Sequence, residues 1–265
     1  MNVKKDFSSI CNKILKETEG LSIEIPFLES INVFDVLKRT ERTGKALRLK
    51  NLNNQNIKAR SIYDHILSLC DVAKIFIDKD IINADYEKLA ILIIYHDLCE
   101  SIIGDFPSYT DFYEVNSNSR MNLLNIDKVE REELANKFLW MFADETQKKY
   151  FEVHHNIDND TKVIFKLLDT IDPIINIWKY MYNFHKELVD EKDFIFVMKD
   201  FFENPVLDKV ISDNKFPIIS EIVSVLKNKE FAAMYLNDLD FKQFVNNKGV
   251  EILLVQLIEN TKLFS

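Results

Sequence analysis

The run LAILIIYHDLC, residues 89–99, decides the fold. It is apolar on nearly every side until it reaches His96 and Asp97, and its length favours a helix over a strand. A helix that is apolar all round lies in the middle of a protein. We therefore expect a buried central helix over about residues 84–99, ended by Gly104.

Apolar residues spaced three and four apart predict further helices on both sides of this run. The chain has only four glycines and five prolines, and glycine-poor sequences do not suit the tight turns of a large β fold. The predicted fold class is therefore all-α. The expected helices cover about residues 7–20, 27–37, 61–76, 126–142, 145–154 and 161–187, the last kinked or split by Pro173, with several more after residue 190.

The predicted helices group into one main domain and an addition. We expect the main domain to span residues 1–189 and a C-terminal helical extension to pack on it over residues 190–265. Two polar stretches, residues 39–58 and 106–120, lack helical periodicity and are predicted to be a long loop and a loop or lid.

Composition limits the partners. The net charge of −9 argues against binding to duplex nucleic acid, and no run of 18 apolar residues predicts a membrane span. Three cysteines without a paired spacing, and the lack of a signal-peptide pattern, predict a cytoplasmic protein. Between Lys38 and Arg60, however, eight basic residues stand against one acid, which suits a small phosphorylated ligand or a solvated loop.

The pair His96-Asp97 is the strongest chemical signal. Ionisable side chains inside an apolar run are costly unless they are paired or bind a metal. Glu100 follows one helical turn later, and Asp105 lies close behind. Imidazole and carboxylate together suit a divalent Zn, Mn, Fe, Co or Ni ion, although a lone His-Asp pair is more often a hydrogen-bonded core feature.

Two other helices repeat the signal. His65 and Asp169 each interrupt an apolar helical face, and each alone would be read as structural. In conjunction, the order His, His-Asp, Asp on three helices resembles the HD-domain phosphohydrolases, and specifically their five-prime-deoxynucleotidase branch. The resemblance is carried by LKRTERTG (37–44), SIYDH (61–65), YHDLCESIIGDFPS (95–108) and FKLLD (165–169).

The resemblance implies a helical, dimeric hydrolase of (deoxy)nucleoside 5'-monophosphates with one divalent metal ion. It implies that Glu100 positions or deprotonates the attacking water and that Asp105 serves the leaving oxygen or the sugar hydroxyl. The implied metal ligands are His65, His96, Asp97 and Asp169, and the implied phosphate-binding residues are Arg42, Lys45 and Arg48. The chemistry fits, because a divalent cation lowers the pKa of a bound water to about 7 and arginine binds phosphate in a bidentate fashion.

Two other functions remain open at this point. The chain could be a non-catalytic, nucleotide-binding regulatory module, although Glu100 and Asp105 beside a full ligand set favour an enzyme. It could also be an oxygenase with two irons, which needs further ligands such as His154 or His155.

Overall fold

The computed structural model describes residues 6–42, 59–105, 128–188, 199, 202–203, 205–228 and 248–258. Outside the described residues lie the predicted loop or lid at 106–120 and residues 43–58 of the predicted loop at 39–58, including Lys45 and Arg48.

The described part of the chain is all-α apart from one short antiparallel ribbon, which confirms the predicted fold class. Each predicted helix up to residue 188 has a counterpart. In chain order the elements are α1 Phe7–Thr18, β1 Ser22–Ile23, β2 Ile31–Asn32, α2 Val33–Arg39, α3 Ile62–Asp78, α4 Tyr86–Tyr95, α5 Glu100–Ile103, α6 Lys128–Phe142, α7 Glu145–His155, α8 Asn159–Leu188, α9 Pro205–Asp213, α10 Pro217–Leu226 and α11 Lys248–Ile258.

Helix α4 is the buried centre, as its composition predicts. Every residue from Leu89 to Tyr95 is buried, and α1, α3, α7 and α8 all pack on it. The prediction that the helix continues to Cys99 is wrong, because α4 ends at Tyr95 and a turn covers 96–99 before α5 begins. Bonds from residue i to i+3, such as Glu100 N–H to the Asp97 carbonyl at 3.0 Å, tighten the chain at this point.

The predicted helix over 27–37 is also wrong in its bounds. Residues 22–23 and 31–32 instead pair as the ribbon, with a turn between them in which Phe27 has a φ of 69°. Helix α2 begins only at Val33, because the Asn32 side chain accepts a hydrogen bond from the Asp35 N–H at 3.1 Å and caps the helix.

The long helix α8 continues through Pro173, so this proline does not split it. Two C-terminal helices begin with a proline, Pro205 and Pro217, since a proline fits the first turn of a helix. Helices α9, α10 and α11 contact α8, and α11 also contacts α3. The division of the chain at residue 189 stays a prediction. No helix in the described ranges is long and apolar enough to cross a bilayer.

Backbone pairing joins the described residues on the two sides of positions 43–58. Glu41 and Ser61 form an antiparallel bridge, and the Arg42 N–H donates to the Arg60 carbonyl at 2.9 Å. Ser61 then caps α3 in a reciprocal capping box with Asp64. This cap fixes the start of α3 and therefore the position of His65, which directly follows Asp64.

Candidate metal centre

His65 lies in the buried first part of α3. Its side chain is 0% exposed, and its Nδ1 is 2.8 Å from Oδ2 of Asp172 on α8. The Asp172 carboxylate accepts a hydrogen bond here, so Nδ1 carries the proton and Nε2 keeps its lone pair. Nε2, on the opposite edge of the ring, can therefore bind a metal.

His96 caps the C-terminus of α4, and its Nδ1 is 2.7 Å from the Ile93 carbonyl. A carbonyl oxygen only accepts, so Nδ1 of His96 is again the protonated nitrogen and Nε2 is free to bind a metal. Phe165 of α8 packs against the ring, with centroids 4.9 Å apart, and fixes its orientation. The two Nε2 atoms of His65 and His96 lie 3.4 Å apart.

The two aspartates bring their oxygens to the same point. Oδ2 of Asp97 is 3.0 Å from Nε2 of His96 and 3.7 Å from Nε2 of His65. Neighbours in a regular α-helix point about 100° apart, so the tight turn at 96–99 is what allows His96 and Asp97 to meet. Oδ1 of Asp169 is 3.5 Å from Nε2 of His65, and the ligand atoms of His65, His96 and Asp169 all lie within 4.8 Å of one another.

This arrangement suits a cation. Burial would raise the pKa of Asp97 and of Asp169, but the positive charge of the nearby histidines, with Arg42 beside Asp97 and Lys166 beside Asp169, holds both values well below the usual range. Burial would lower the pKa of His96, but Asp97 outweighs it and raises the pKa. The two carboxylates thus draw positive charge into one small space, and a bound cation would supply that charge and leave two imidazole nitrogens as ligands. The donor set of two nitrogens and two oxygens fits a divalent Zn, Mn, Fe, Co or Ni ion.

Arg42 stands at the edge of this cluster with the two predicted catalytic acids. Its Nη1 is 2.6 Å from Oδ2 of Asp97 and 3.7 Å from Oε2 of Glu100, and its Nε is 3.8 Å from Oδ2 of Asp105. Burial alone would lower the pKa of Arg42, but the surrounding carboxylates outweigh it and raise the pKa. We call Arg42, Glu100 and Asp105 the mouth of the site.

Sequence reasoning missed the residues behind His65. Asp172, which directly precedes Pro173, is 0% exposed and ion-paired to Arg60, whose Nη1 lies 2.6 Å from Oδ2. Ser68 and Asn176 also donate to it. We call Asp172, Arg60, Ser68 and Asn176 the inner wall. The spacing of Asp172, one turn after Asp169 on the same helix face, was the available signal.

A second missed residue is Lys166, whose Nζ donates to Oδ2 of Asp169 at 3.0 Å. Its side chain is 72% exposed, so it places an accessible ammonium group beside the cluster. It occupies the second position of the FKLLD motif, three residues before Asp169. No feature of its sequence surroundings distinguishes it from other surface lysines.

His154 and His155 lie at the end of α7, beside a cavity of about 710 Å³ between α4, α6 and α7. Burial lowers the pKa of His154 to about 4, with smaller contributions from His96, His155 and Lys162. His154 is therefore neutral at physiological pH and is more enclosed than an exposed helix terminus, whereas His155 is exposed. The described lining of this cavity includes Trp140 and Phe151 but none of the four predicted metal ligands, His65, His96, Asp97 and Asp169.

The comparisons with known proteins agree with the geometry. A family model described as HD domain matches residues 34–207, which takes in α2 to the start of α9 and every residue of the cluster. Proteins of this family are generally metal-dependent phosphohydrolases. No curated protein and no solved structure shows significant similarity to the chain. Because the match spans more than half of the 265 residues, the chain belongs to the HD-domain family.

Proposed function

We propose that the protein hydrolyses phosphomonoesters, and that its substrates are (deoxy)nucleoside 5'-monophosphates. One observation carries the proposal. Two histidine Nε2 atoms 3.4 Å apart, each with its Nδ1 proton donated elsewhere, face the carboxylates of Asp97 and Asp169. In this proposal His65, His96, Asp97 and Asp169 hold a single divalent ion.

The residues of the mouth divide the remaining work. When bound, the ion would polarise a phosphoryl oxygen and lower the pKa of a nearby water. Glu100, whose side chain is only 8% exposed, would orient that water and accept its proton. Asp105 would serve the leaving oxygen or the sugar hydroxyl.

Arg42 would bind the phosphate through its planar guanidinium group. Its present partners are carboxylates, and a phosphate entering the mouth would replace them with oxygens of higher charge. Lys45 and Arg48 remain further candidates for this role. Lys166, exposed beside Asp169, would add a positive charge at the rim.

The nucleotide part of the proposal rests on the motifs at 37–44 and 95–108, which resemble the five-prime-deoxynucleotidase branch. The proposal also includes a homodimer and a cytoplasmic location. Light scattering on the purified protein tests the first of these, and a monomer at micromolar concentration would contradict it.

Phosphate release from a panel of ribo- and deoxyribonucleoside 5'-monophosphates, with added Mn²⁺ or Co²⁺, tests the activity. We expect turnover by the wild type and a fall of roughly 10²–10⁴-fold in Glu100→Gln, the usual range for a general base. Glu29→Gln, which changes an exposed glutamate outside the site, is the matched control and should keep full activity. If wild type and Glu100→Gln are equally inert while a nucleotide still binds, the protein is a regulatory binding module instead.

A further inference from the structure

The inner wall is more than packing behind the site, because its carboxylate is surrounded by donors and a cation. Oδ2 of Asp172 lies 2.8 Å from Nδ1 of His65 and forms an ion pair with Nη1 of Arg60 at 2.6 Å. Oδ1 accepts hydrogen bonds from Oγ of Ser68 at 2.6 Å and from Nδ2 of Asn176 at 2.8 Å. These are the surroundings of an accepting carboxylate.

The hydrogen positions follow from these contacts. Ser68 accepts a hydrogen bond from Asn176 at 2.9 Å and therefore donates its own proton to Asp172. Arg60 has only donors to offer. Asp172 is thus the acceptor toward Ser68 and Asn176 and faces the Arg60 cation, which makes Nδ1 of His65 the donor in the fourth contact.

Arg60 also joins the inner wall to the mouth. Its side chain is 6% exposed and reaches Asp172, while its backbone carbonyl accepts from the N–H of Arg42 at 2.9 Å. The two arginines thus lie on paired backbone segments on the two sides of residues 43–58. The side chain of one reaches the inner wall and that of the other reaches the mouth.

We propose that the buried Arg60–Asp172 pair is a positioning element that holds His65 in the Nδ1–H tautomer, with Nε2 toward the metal, and links it through one backbone bridge to Arg42. This inference rests on the metal site proposed above. Arg60 and Asp172 touch neither substrate nor metal in this account. They act through His65.

The comparison with His96 shows why a charged pair is needed. His96 has its tautomer set by a backbone carbonyl, a neutral acceptor that is always present in the helix. His65 has a carboxylate instead, and a buried carboxylate is costly unless a cation lies beside it. The Arg60 guanidinium, 2.6 Å from Oδ2, is that cation. Carboxylate partners of this kind raise the basicity of a ligating imidazole, and changing them typically costs 10–100-fold in metal affinity.

Nitrogen NMR of the metal-free wild type, with ¹⁵N-labelled histidine, tests the tautomer directly. At about pH 8 we expect His65 to show a protonated Nδ1 and an unprotonated Nε2. A protonated Nε2 would overturn the proposal. Because this measurement uses the unaltered protein, it stands even if every variant of the inner wall fails to fold.

Calorimetric titration with Mn²⁺ tests the consequence. We expect Asp172→Asn to weaken Mn²⁺ binding by about 10–100-fold. Arg60→Lys, which keeps the charge, should restore most of the affinity that Arg60→Met loses. Ile175→Ala on the same helix, at a fully buried residue, controls for lost stability and should bind Mn²⁺ like the wild type.

The two proposals fail in different ways. The predicted tautomer in a protein that releases no phosphate would remove the proposed activity and leave this inference intact. Unchanged Mn²⁺ affinity in Asp172→Asn and Arg60→Met, in an active enzyme, would overturn the positioning role and leave the activity intact.

Discussion

Arg42 and Arg60, which are joined by a backbone hydrogen bond, have side chains in opposite environments. Arg60 is 6% exposed and reaches a single carboxylate that is 0% exposed. Arg42 is 21% exposed and faces three carboxylates, from 2.6 to 3.8 Å away. A pair this deeply buried has no place for a ligand, whereas a partly open arginine among crowded acids can exchange its partners. In the proposed function, the inner wall therefore supports the metal and the mouth receives the substrate.

The proposed metal ligands contact both the inner wall and the mouth, so their loss should have the largest effect. At a Mn²⁺ concentration of 100 times Kd, binding should stabilise the wild type by about 2.7 kcal/mol. For a chain of this size that raises Tm by roughly 5–11 °C. His96→Ala should lose this rise together with phosphate release, which thermal melts with and without Mn²⁺ would show.

His155→Ala removes an exposed histidine on α7 and is the matched control for His96→Ala. It should keep the rise in Tm. A normal rise in His96→Ala would mean that the ion binds elsewhere.

The next largest effect should separate the two arginines by stability. Arg60→Met leaves the Asp172 charge buried and unpaired, which typically costs about 3–5 kcal/mol. Arg42→Met in saturating Mn²⁺ should cost less, since the ion still neutralises the acids around it. Urea denaturation of both variants measures the difference, and equal losses would contradict the distinction between inner wall and mouth.

The catalytic constants should separate the two arginines in the opposite sense, with the larger loss at Arg42. Arg42→Ala removes a charge-assisted contact to phosphate, worth about 1.5–3 kcal/mol, so kcat/KM should fall by roughly 10–100-fold while Mn²⁺ affinity changes little. Steady-state kinetics checks this prediction. Arg39→Ala, at an exposed arginine three residues earlier, should leave kcat/KM unchanged. Weakened Mn²⁺ binding in Arg42→Ala would assign the arginine to the metal instead.

The smallest effect should come from Lys166→Ala at the rim. An exposed ion pair contributes about 0–1 kcal/mol, so KM should rise by no more than roughly fivefold. Lys74→Ala provides the control, because Lys74 pairs with an aspartate on its own helix, away from the cluster, and should leave KM as it is. A drop in kcat with constant KM would show that Lys166 acts in the reaction and not in binding.

Much of the fold could be predicted from the sequence, because helix periodicity is a local property. The buried run that begins at Leu89 and the first helix from Phe7 both follow from residues close together in the chain. The turn at 96–99 did not follow, because its apolar residues continue the helical pattern while its hydrogen bonds do not. The ribbon at β1 and β2 was missed for a similar reason, since two-residue strands carry no periodic signal.

The candidate site, like the fold, could be predicted only in part. The order His65, His96-Asp97, Asp169 was visible as polar residues on apolar faces, and the structure brings these side chains together. Their roles as ligands stay predictions. The inner wall was not visible, because its key contact joins His65 to Asp172 across 107 residues, and each partner alone looks ordinary. Only the fold shows that the Arg60 side chain lies against Asp172, behind His65, and not among the acids around Arg42.

Anomalous diffraction from a crystal grown with Mn²⁺ is the most direct test of the claim that four side chains hold one ion. We predict a single peak bonded to Nε2 of both His65 and His96 and to carboxylate oxygens of Asp97 and Asp169. No peak among these atoms, or a peak held by other residues, would contradict the account.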